Sequence, residues 1–332
     1  MLLKLARERR VLFFGGKGGV GKTTLAAATA LAEAESGRRV LLVSTDPAHN
    51  LGHLWDRRIG LSPVRVAPDL DALELDPDRV VEEHLEQVGA ALRRLMPEHL
   101  AGEVDRHMAL SRDAPGMQEA ALLERIADTM AQGLDECDLV VFDTAPSGHT
   151  ARLMALPEMM AAWTEGLLAR RDRAARFRTA LSNLQPGQDV SERVFGEEPG
   201  EAGSRDDRIR YLLNRRRERL SRLRDTLADT ALTAFVIVLA AERLPVLESI
   251  ELAHKLRASG ITVGGLVINK RAPPEAGAFY EERRVQEDTH LATLEEGLPG
   301  LPRLELPLIA RDIVGPEALA AFVELLRARD AR

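Results

Sequence analysis

Cysteine is almost absent from this chain: Cys137 is the only one among 332 residues. A single thiol cannot form a disulfide or a multi-cysteine metal site within one chain. The sequence also has no stretch near the roughly 18 consecutive apolar residues of a membrane-spanning helix. Its opening segment, MLLKLARERR, is too short and too charged for a signal peptide. We therefore expect a soluble, cytoplasmic protein.

An excess of positive charge is missing as well, since the formal net charge is -7. Proteins that bind nucleic acid usually carry a basic surface, so we expect no nucleic-acid partner. The length is sufficient to bury a sizeable core and allows one large α/β domain or two smaller ones.

A glycine-rich segment, GGKGGVGKTT, occupies residues 15–24 between the apolar run VLFF and a helix-forming stretch. Gly16, Gly21, Lys22 and Thr23 satisfy the pattern G-x-x-x-x-G-K-[ST], placed in a strand-to-helix turn. Glycines let backbone N–H groups converge on an anion, and the helix N-terminus adds positive potential. The segment therefore predicts a phosphate-binding loop rather than a turn that binds nothing. In this loop Lys22 would offset the charge of the β- and γ-phosphates and the Thr23 hydroxyl would hold Mg²⁺.

Acidic residues follow two other apolar runs. RVLLVS leads into STDPAHN, which contains Asp46, and LVVF leads into Asp143. Ligands of open α/β sheets bind at the carboxyl ends of the strands. Asp46 is therefore the candidate to orient the attacking water or contact the Mg²⁺ shell, and Asp143 to hold Mg²⁺ from the second shell. By itself, the TDP segment could instead be a turn with a helix-capping aspartate.

Lys17, directly after Gly16, is unusual because Lys22 already serves the loop's own nucleotide. The segment KGGVGKT resembles the deviant Walker A motif of a class of dimeric ATPases. STDPAHN and DTAPSGHTARLM resemble switch I and switch II of the ArsA-like ATPases, which include the arsenite-pump ATPase and the ATPase that targets tail-anchored membrane proteins. The resemblance covers most of the chain.

The resemblance implies a homodimer, in which Lys17 crosses to the partner's phosphates and a second copy supplies the second phosphate loop. It implies that Asp46, Lys17 and Lys22 are catalytic and that Mg²⁺ is held at Thr23, Asp46 and Asp143. An asparagine at a strand end, such as Asn269, could also be a simple turn residue; the resemblance makes it the reader of the adenine edge. The implied nucleotide contacts are Gly16, Lys17, Gly18, Gly19, Val20, Gly21, Lys22, Thr23, Thr24, Asn50 in switch I, Pro146, Ser147 and Gly148 in switch II, Asn269, and Pro307 and Leu308 around the adenine.

Other metal sites have little support. Region 272–298 has no cysteine, so the zinc clamp that many eukaryotic targeting ATPases carry there is excluded at that position. A three-thiolate arsenite site is likewise excluded within the chain, and we interpret Cys137 as structural. His49 and His53 are spaced to share a helix face, but no third ligand accompanies them.

The expected fold is α/β: one P-loop ATPase domain over residues 1–332, with a doubly wound, mostly parallel sheet and an inserted helical subdomain at 154–230. Apolar runs 233–240 and 261–268, with a helix at 245–256 between them, predict a right-handed βαβ unit. We expect a mobile loop at 197–207.

The function expected is that of an ATP-driven dimeric switch that captures or targets a hydrophobic, membrane-protein-like client. Alternatives are a soluble ATPase subunit of an arsenite-type efflux pump, or a nucleotide-gated scaffold for an acidic partner or membrane surface, which the arginines of 170–178 and 215–224 would suit. The residues that could line a client groove, or else pack as ordinary core, are Met159, Met160, Trp163, Leu167 and Leu168.

Overall fold

Short runs of valine, leucine, isoleucine and phenylalanine form the central strands, because such residues suit a strand that is buried on both faces. The computed structural model describes residues 1–46, 50–95, 101–144, 199–274 and 276–331. The strands are β1 (Val11–Gly15), β2 (Val40–Ser44), β3 (Val64–Ala67), β4 (Leu70–Glu74), β5 (Leu139–Asp143), β6 (Thr233–Ala240), β7 (Val263–Arg271) and β8 (Arg303–Pro307).

These strands form a single sheet in the order β3-β4-β2-β5-β1-β6-β7-β8. Neighbouring strands are parallel throughout, except that the edge strand β3 runs antiparallel to β4. The prediction of a mostly parallel α/β sheet is therefore confirmed. Strand β1 lies between β5 and β6, so the glycine-rich segment leaves the sheet near its middle.

Helices connect the strands in the described parts of the chain. None of these described helices is both long and apolar enough to cross a lipid bilayer. They are α1 (Leu2–Glu8), α2 (Lys22–Glu35), α3 (Asn50–Trp55), α4 (Pro77–Leu95), α5 (Ala101–Arg112), α6 (Met117–Glu136), α7 (Pro199–Ala228), α8 (Arg243–Ala258), α9 (Ala278–Gly297) and α10 (Pro316–Asp330).

Alternate side chains of the strands pack on opposite faces of the sheet. Phe13 stacks on Phe142 on one face, with ring centroids 4.6 Å apart, in a core that also takes in α6, α7, α8 and α9. Leu12 and Phe14 point to the other face, which α1, α2 and α10 cover. Helices on both faces make the sheet doubly wound, as expected.

The predicted βαβ unit is present as β6, α8 and β7. The expectation of a mobile loop at 197–207 is wrong from residue 199 onward, because α7 begins at Pro199. Proline fits the first turn of a helix, and the glycines after it cost only about 1 kcal/mol each in a helix of this length. Residues 145–198 lie outside the described part of the chain, so the inserted subdomain at 154–230 stays a prediction.

A buried ionic network fixes the far end of the sheet. Arg271, the last residue of β7, is 4% exposed, and its Nη1 lies 2.7 Å from Oε2 of the equally buried Glu287 on α9. Its Nε lies 2.9 Å from Oε2 of Glu305 on β8. Removing one partner of such a pair leaves a buried charge and costs about 3–5 kcal/mol. The ion pairs of Arg271 therefore hold the carboxyl ends of β7 and β8 in place.

Candidate nucleotide-binding site

The glycine-rich turn lies between the end of β1 and the start of α2. Atoms of β6 and β7 approach its backbone so closely that two positions require glycine. A Cβ on Gly16 would lie 2.0 Å from the carbonyl oxygen of Val238 on β6. Gly21 has a φ of +95°, and a Cβ there would lie 2.5 Å from Nδ2 of Asn269. A residue with a side chain would clash at either position, so the loop geometry explains both motif glycines.

Lys22 is the first residue of α2, and only 4% of it is exposed. Its Nζ donates a hydrogen bond to the carbonyl oxygen of Lys17, 3.1 Å away, across the loop. Burial lowers the pKa of Lys22, while the carboxylates of Asp143 and Asp46 act in the opposite direction. The ammonium group is therefore poorly hydrated, and an anion in the loop would compensate it.

Asp143 joins three elements of the site. Its Oδ2 accepts a hydrogen bond of 2.7 Å from the Thr23 hydroxyl at the start of α2. The same oxygen accepts one of 3.2 Å from the Ser44 hydroxyl at the end of β2. The sequence placed Thr23 and Asp143 at one Mg²⁺ site, and the structure brings their side chains into contact.

The second carboxylate oxygen of Asp143, Oδ1, differs from Oδ2. Oδ1 is buried and has no hydrogen-bond partner among the described residues. Burial raises the pKa of Asp143 to about 7, although the hydrogen bond from Thr23 and the charge of Lys22 act against the rise. Oxygen ligands and an uncompensated buried carboxyl group suit a small divalent cation. Thr23, Asp143 and Asp46 therefore fit Mg²⁺.

Asp46 follows β2 at the same edge of the sheet. Its backbone N–H donates to the Ser44 hydroxyl oxygen at 3.2 Å, and its charge influences both Lys22 and Asp143. Four predicted site residues cannot be placed: the side chain of Asn50, the first residue of α3, and all of Pro146, Ser147 and Gly148 lie outside what the structure describes.

Glu74, the last residue of β4, supports the segment after Asp46. It is 4% exposed, and its Oε1 accepts a hydrogen bond of 2.8 Å from the backbone N–H of Leu51 in α3. A carboxylate at a helix N-terminus complements the helix dipole. The start of α3 is therefore tied to the sheet by a buried charge.

Asn269 lies against the phosphate loop, because its Nδ2 donates to the Val20 carbonyl oxygen at 2.9 Å. Pro307 pairs with Arg271 at the end of the neighbouring strand, and the backbone N–H of Leu308 donates to the Arg271 carbonyl oxygen at 2.8 Å. The structure thus brings Asn269 to the loop and Leu308 to the end of β7. Adenine recognition by Asn269, Pro307 and Leu308 stays a prediction.

Lys17 points toward helix α8 of its own chain. Its Nζ lies 2.9 Å from Oε1 of Glu248, and both side chains are more than one-third exposed. An exposed pair of this kind contributes about 0–1 kcal/mol, so it can readily be exchanged for another anion.

Sequence reasoning missed three residues that shape the site: Ser44, Glu74 and Glu248. Ser44 could have been found, since a hydroxyl at a strand end beside Asp46 lies at the ligand edge. Glu74 and Glu248 gave no local signal, because each acts on a segment distant in the chain.

Comparison with known proteins agrees with this geometry. The family model described as anion-transporting ATPase matches residues 9–328. An ATPase ARSA2 of Chlamydomonas reinhardtii is 33% identical over 97% of this chain and 85% of its own length. An ATPase GET3 of Pyricularia oryzae is 29% identical over 96% of this chain and 91% of its own length. An arsenical pump-driving ATPase of Escherichia coli is 32% identical over 94% of this chain. The chain spans about half of the length of that relative, 48%, and 44% of one from Halobacterium salinarum.

The buried carboxyl of Asp143 predicts how stability depends on pH without Mg²⁺ and nucleotide. Its pKa is raised from 3.8 to about 7, so between these values the folded protein holds a proton that the unfolded chain releases. Wild-type stability should therefore fall as pH rises through this window. Asp143→Asn lacks this titration. The free energy of unfolding of the variant should therefore rise relative to that of the wild type by up to about 4 kcal/mol between about pH 4 and pH 8.

Urea unfolding of both proteins with a chelator, across this range, measures the difference. Glu282→Gln on the exposed face of α9 is the control and should keep the wild-type pH dependence. Parallel curves for the wild type and Asp143→Asn would contradict the assigned burial of the charge.

Proposed function

The chain belongs to the anion-transporting ATPase family, and we propose that this ATPase works as a nucleotide-driven switch made of two copies. The contact that supports the proposal best is the one between Thr23 and Asp143, at 2.7 Å, below a loop that already holds Lys22. Hydroxyl, carboxylate and ammonium groups then meet where a triphosphate and its cation would lie.

In the proposed reaction each side chain has a separate task. Backbone N–H groups of residues 16–21 and the Lys22 ammonium bind the phosphate oxygens and offset the charge that develops on them. Asp46 accepts a hydrogen bond from the attacking water and orients it. Thr23, with Asp143 and Asp46 nearby, would hold Mg²⁺, which when bound would neutralise part of the phosphate charge. Catalysis consists of positioning and electrostatics, with no covalent intermediate.

Asp46→Asn should lower the rate of ATP hydrolysis by about 100-fold or more, because the amide orients water less well and cannot accept its proton. Binding of ATP should be kept, since Lys22 and the loop are unchanged. Turnover and nucleotide affinity are measured separately. Lys22→Ala is the comparison variant and should lose binding as well as turnover. Wild-type turnover in Asp46→Asn would rule out Asp46 as the catalytic aspartate.

The second copy enters the proposal through Lys17. Lys22 already serves the loop of its own chain, and the Lys17 ammonium pairs with the exposed carboxylate of Glu248. When two copies meet, the phosphates of the partner would offer Lys17 a higher negative charge than Glu248 does. We therefore propose that Lys17 exchanges Glu248 for the partner's nucleotide as the homodimer closes.

Lys17→Ala should weaken dimer formation in the presence of Mg²⁺ and a non-cleavable ATP analogue, because the contact across the interface is lost. Glu248→Gln, which frees Lys17 in its own chain, should dimerise at least as well as the wild type. Sedimentation at a series of protein concentrations measures both. Equal dimerisation of Lys17→Ala and the wild type would refute the crossing lysine.

What the switch acts on is proposed from the sequence and from the relatives. The names of the relatives point in two directions, an arsenical pump and an ATPase called GET3. For the pump role, one thiol per chain is a poor arsenite ligand, and burial raises the pKa of Cys137 so that the thiol stays protonated. We therefore favour a hydrophobic, membrane-protein-like client over an anion.

The scaffold alternative has less support. In helix α7, Arg219 lies 2.9 Å from Asp128 of α6, and Arg216 pairs with Glu124 of the same helix. These two arginines already have carboxylate partners within the chain, which an acidic partner would have to displace. The proposed client residues Met159, Met160, Trp163, Leu167 and Leu168 lie outside the described residues.

Replacing Met159, Met160 and Leu167 together by aspartate should abolish ATP-dependent capture of a peptide with one apolar membrane-type helix, because charge opposes burial of apolar surface. The control is Val285→Asp on the exposed face of α9, which should capture the peptide normally. Pull-down with and without ATP measures capture. Equal capture by all variants would exclude this groove, and stimulation of turnover by arsenite would favour the pump role instead.

A further inference from the structure

Strand β7 does not end regularly. Ile268 pairs with Glu305 and Arg271 pairs with Pro307, so three steps along β7 match two steps along β8. Within this bulge Lys270 has a φ of +59°, in the left-handed region that residues other than glycine and asparagine rarely adopt. Bulges near active sites commonly redirect side chains. This one redirects two adjacent residues toward the phosphate loop.

The redirected side chains hold consecutive peptide groups of the loop. Nδ2 of Asn269 donates to the carbonyl oxygen of Val20 at 2.9 Å. Nζ of Lys270 donates to the carbonyl oxygen of Gly19 at 2.8 Å. In a trans peptide group the C=O and the following N–H point in opposite directions. Fixing these two carbonyl groups therefore also fixes the directions of the N–H groups of Val20 and Gly21.

The loop needs such support at Gly19. Gly19 is exposed, and a Cβ placed on it would meet nothing within 4 Å, so no packing defines its conformation. Its outer flank borders a cavity of about 430 Å³ that Lys17, Arg243 and Lys270 also line. A glycine peptide beside open space loses more conformational entropy on ordering than any other residue. A hydrogen bond to the Gly19 carbonyl reduces that cost before the ligand binds.

The backbone at Lys270 is well fixed, whereas its side chain is exposed. On one side Asn269 is 7% exposed and bonded to the loop, and on the other Arg271 is buried among Glu287, Glu305 and Asp288. The left-handed backbone is thus determined by both neighbours. The ammonium group of Lys270 is directed at the back of the loop.

We propose that Lys270 is a positioning residue for nucleotide phosphates: its contact with the Gly19 carbonyl pre-orients the loop N–H groups that bind the anion. The inference rests on the proposed nucleotide site and goes beyond it by assigning this task to Lys270. Because the ammonium contacts the carbonyl side of the loop, its effect concerns the phosphates and is the same whichever base the nucleotide carries.

The test compares ADP, GDP and pyrophosphate binding by the wild type and Lys270→Ala, which keeps the Cβ and the strained backbone and loses the amine with the three methylenes that carry it. Affinities for ADP and pyrophosphate should fall by the same factor, about 3- to 10-fold for one net hydrogen bond. The ratio of ADP to GDP affinity should not change. The control Lys255→Ala removes an equal charge from the exposed face of α8 and should bind as the wild type does.

A second variant separates the amine from the backbone strain. Lys270→Gly also lacks the amine but adopts a positive φ without strain, so it should show the same loss as Lys270→Ala. Full pyrophosphate affinity in either variant, or an equal loss in Lys255→Ala, would overturn the role of Lys270. Failure of the wild type itself to bind ADP and pyrophosphate would overturn the nucleotide site and this role together. A wild type that binds, with variants that bind equally, overturns the role alone.

Discussion

One buried carboxyl group, that of Asp143, is the point on which the site depends. It ends the strand next to β1, and its Oδ2 accepts hydrogen bonds from a residue of α2 and a residue of β2. Three separate segments are therefore held in register by one oxygen, while the other oxygen stays buried without a described partner. A carboxyl group in this position is costly without a cation, and the raised pKa expresses that cost. A bound cation would offset this electrostatic cost.

Three lysines lie around the phosphate loop, and their different surroundings give the same chemical group three different tasks. Lys22 is buried and crosses the loop to the Lys17 carbonyl, Lys17 reaches an exposed carboxylate on α8, and Lys270 supports the loop from outside. The first is positioned for the chain's own ligand. The second can change partner at little cost because both groups of its present pair are hydrated. The third acts on the ligand indirectly, by orienting the backbone of the loop at Gly19.

The sheet and the centre of the site could be predicted from the sequence because their signals are local. The strand-turn-helix pattern located Gly16 to Thr23, and an apolar run ending in an acid located Asp143, since parallel strands bring their carboxyl ends together. Other features depend on contacts between distant segments. Glu74 meets Leu51, Glu248 meets Lys17, and Lys270 turns toward Gly19 only because a bulge changes the register of β7. No window of the sequence contains both partners of these contacts. Proline and glycine around residue 200 predict a loop, but a helix begins at Pro199, because proline also fits the first turn of a helix.

The buried network of Arg271 makes the two ends of the nucleotide cleft respond differently to ionic strength. Mobile ions screen exposed charges over about 10 Å at 0.1 M salt but have little access to an arginine that is 4% exposed. The geometry of the β7 and β8 ends should therefore be the same in dilute and concentrated buffer. The exposed pair of Lys17 and Glu248 is screened, so rising salt releases Lys17 while the ends of β7 and β8 keep their places. A cell that changes its potassium concentration would thus alter how readily Lys17 leaves Glu248 without changing the geometry of these two strand ends.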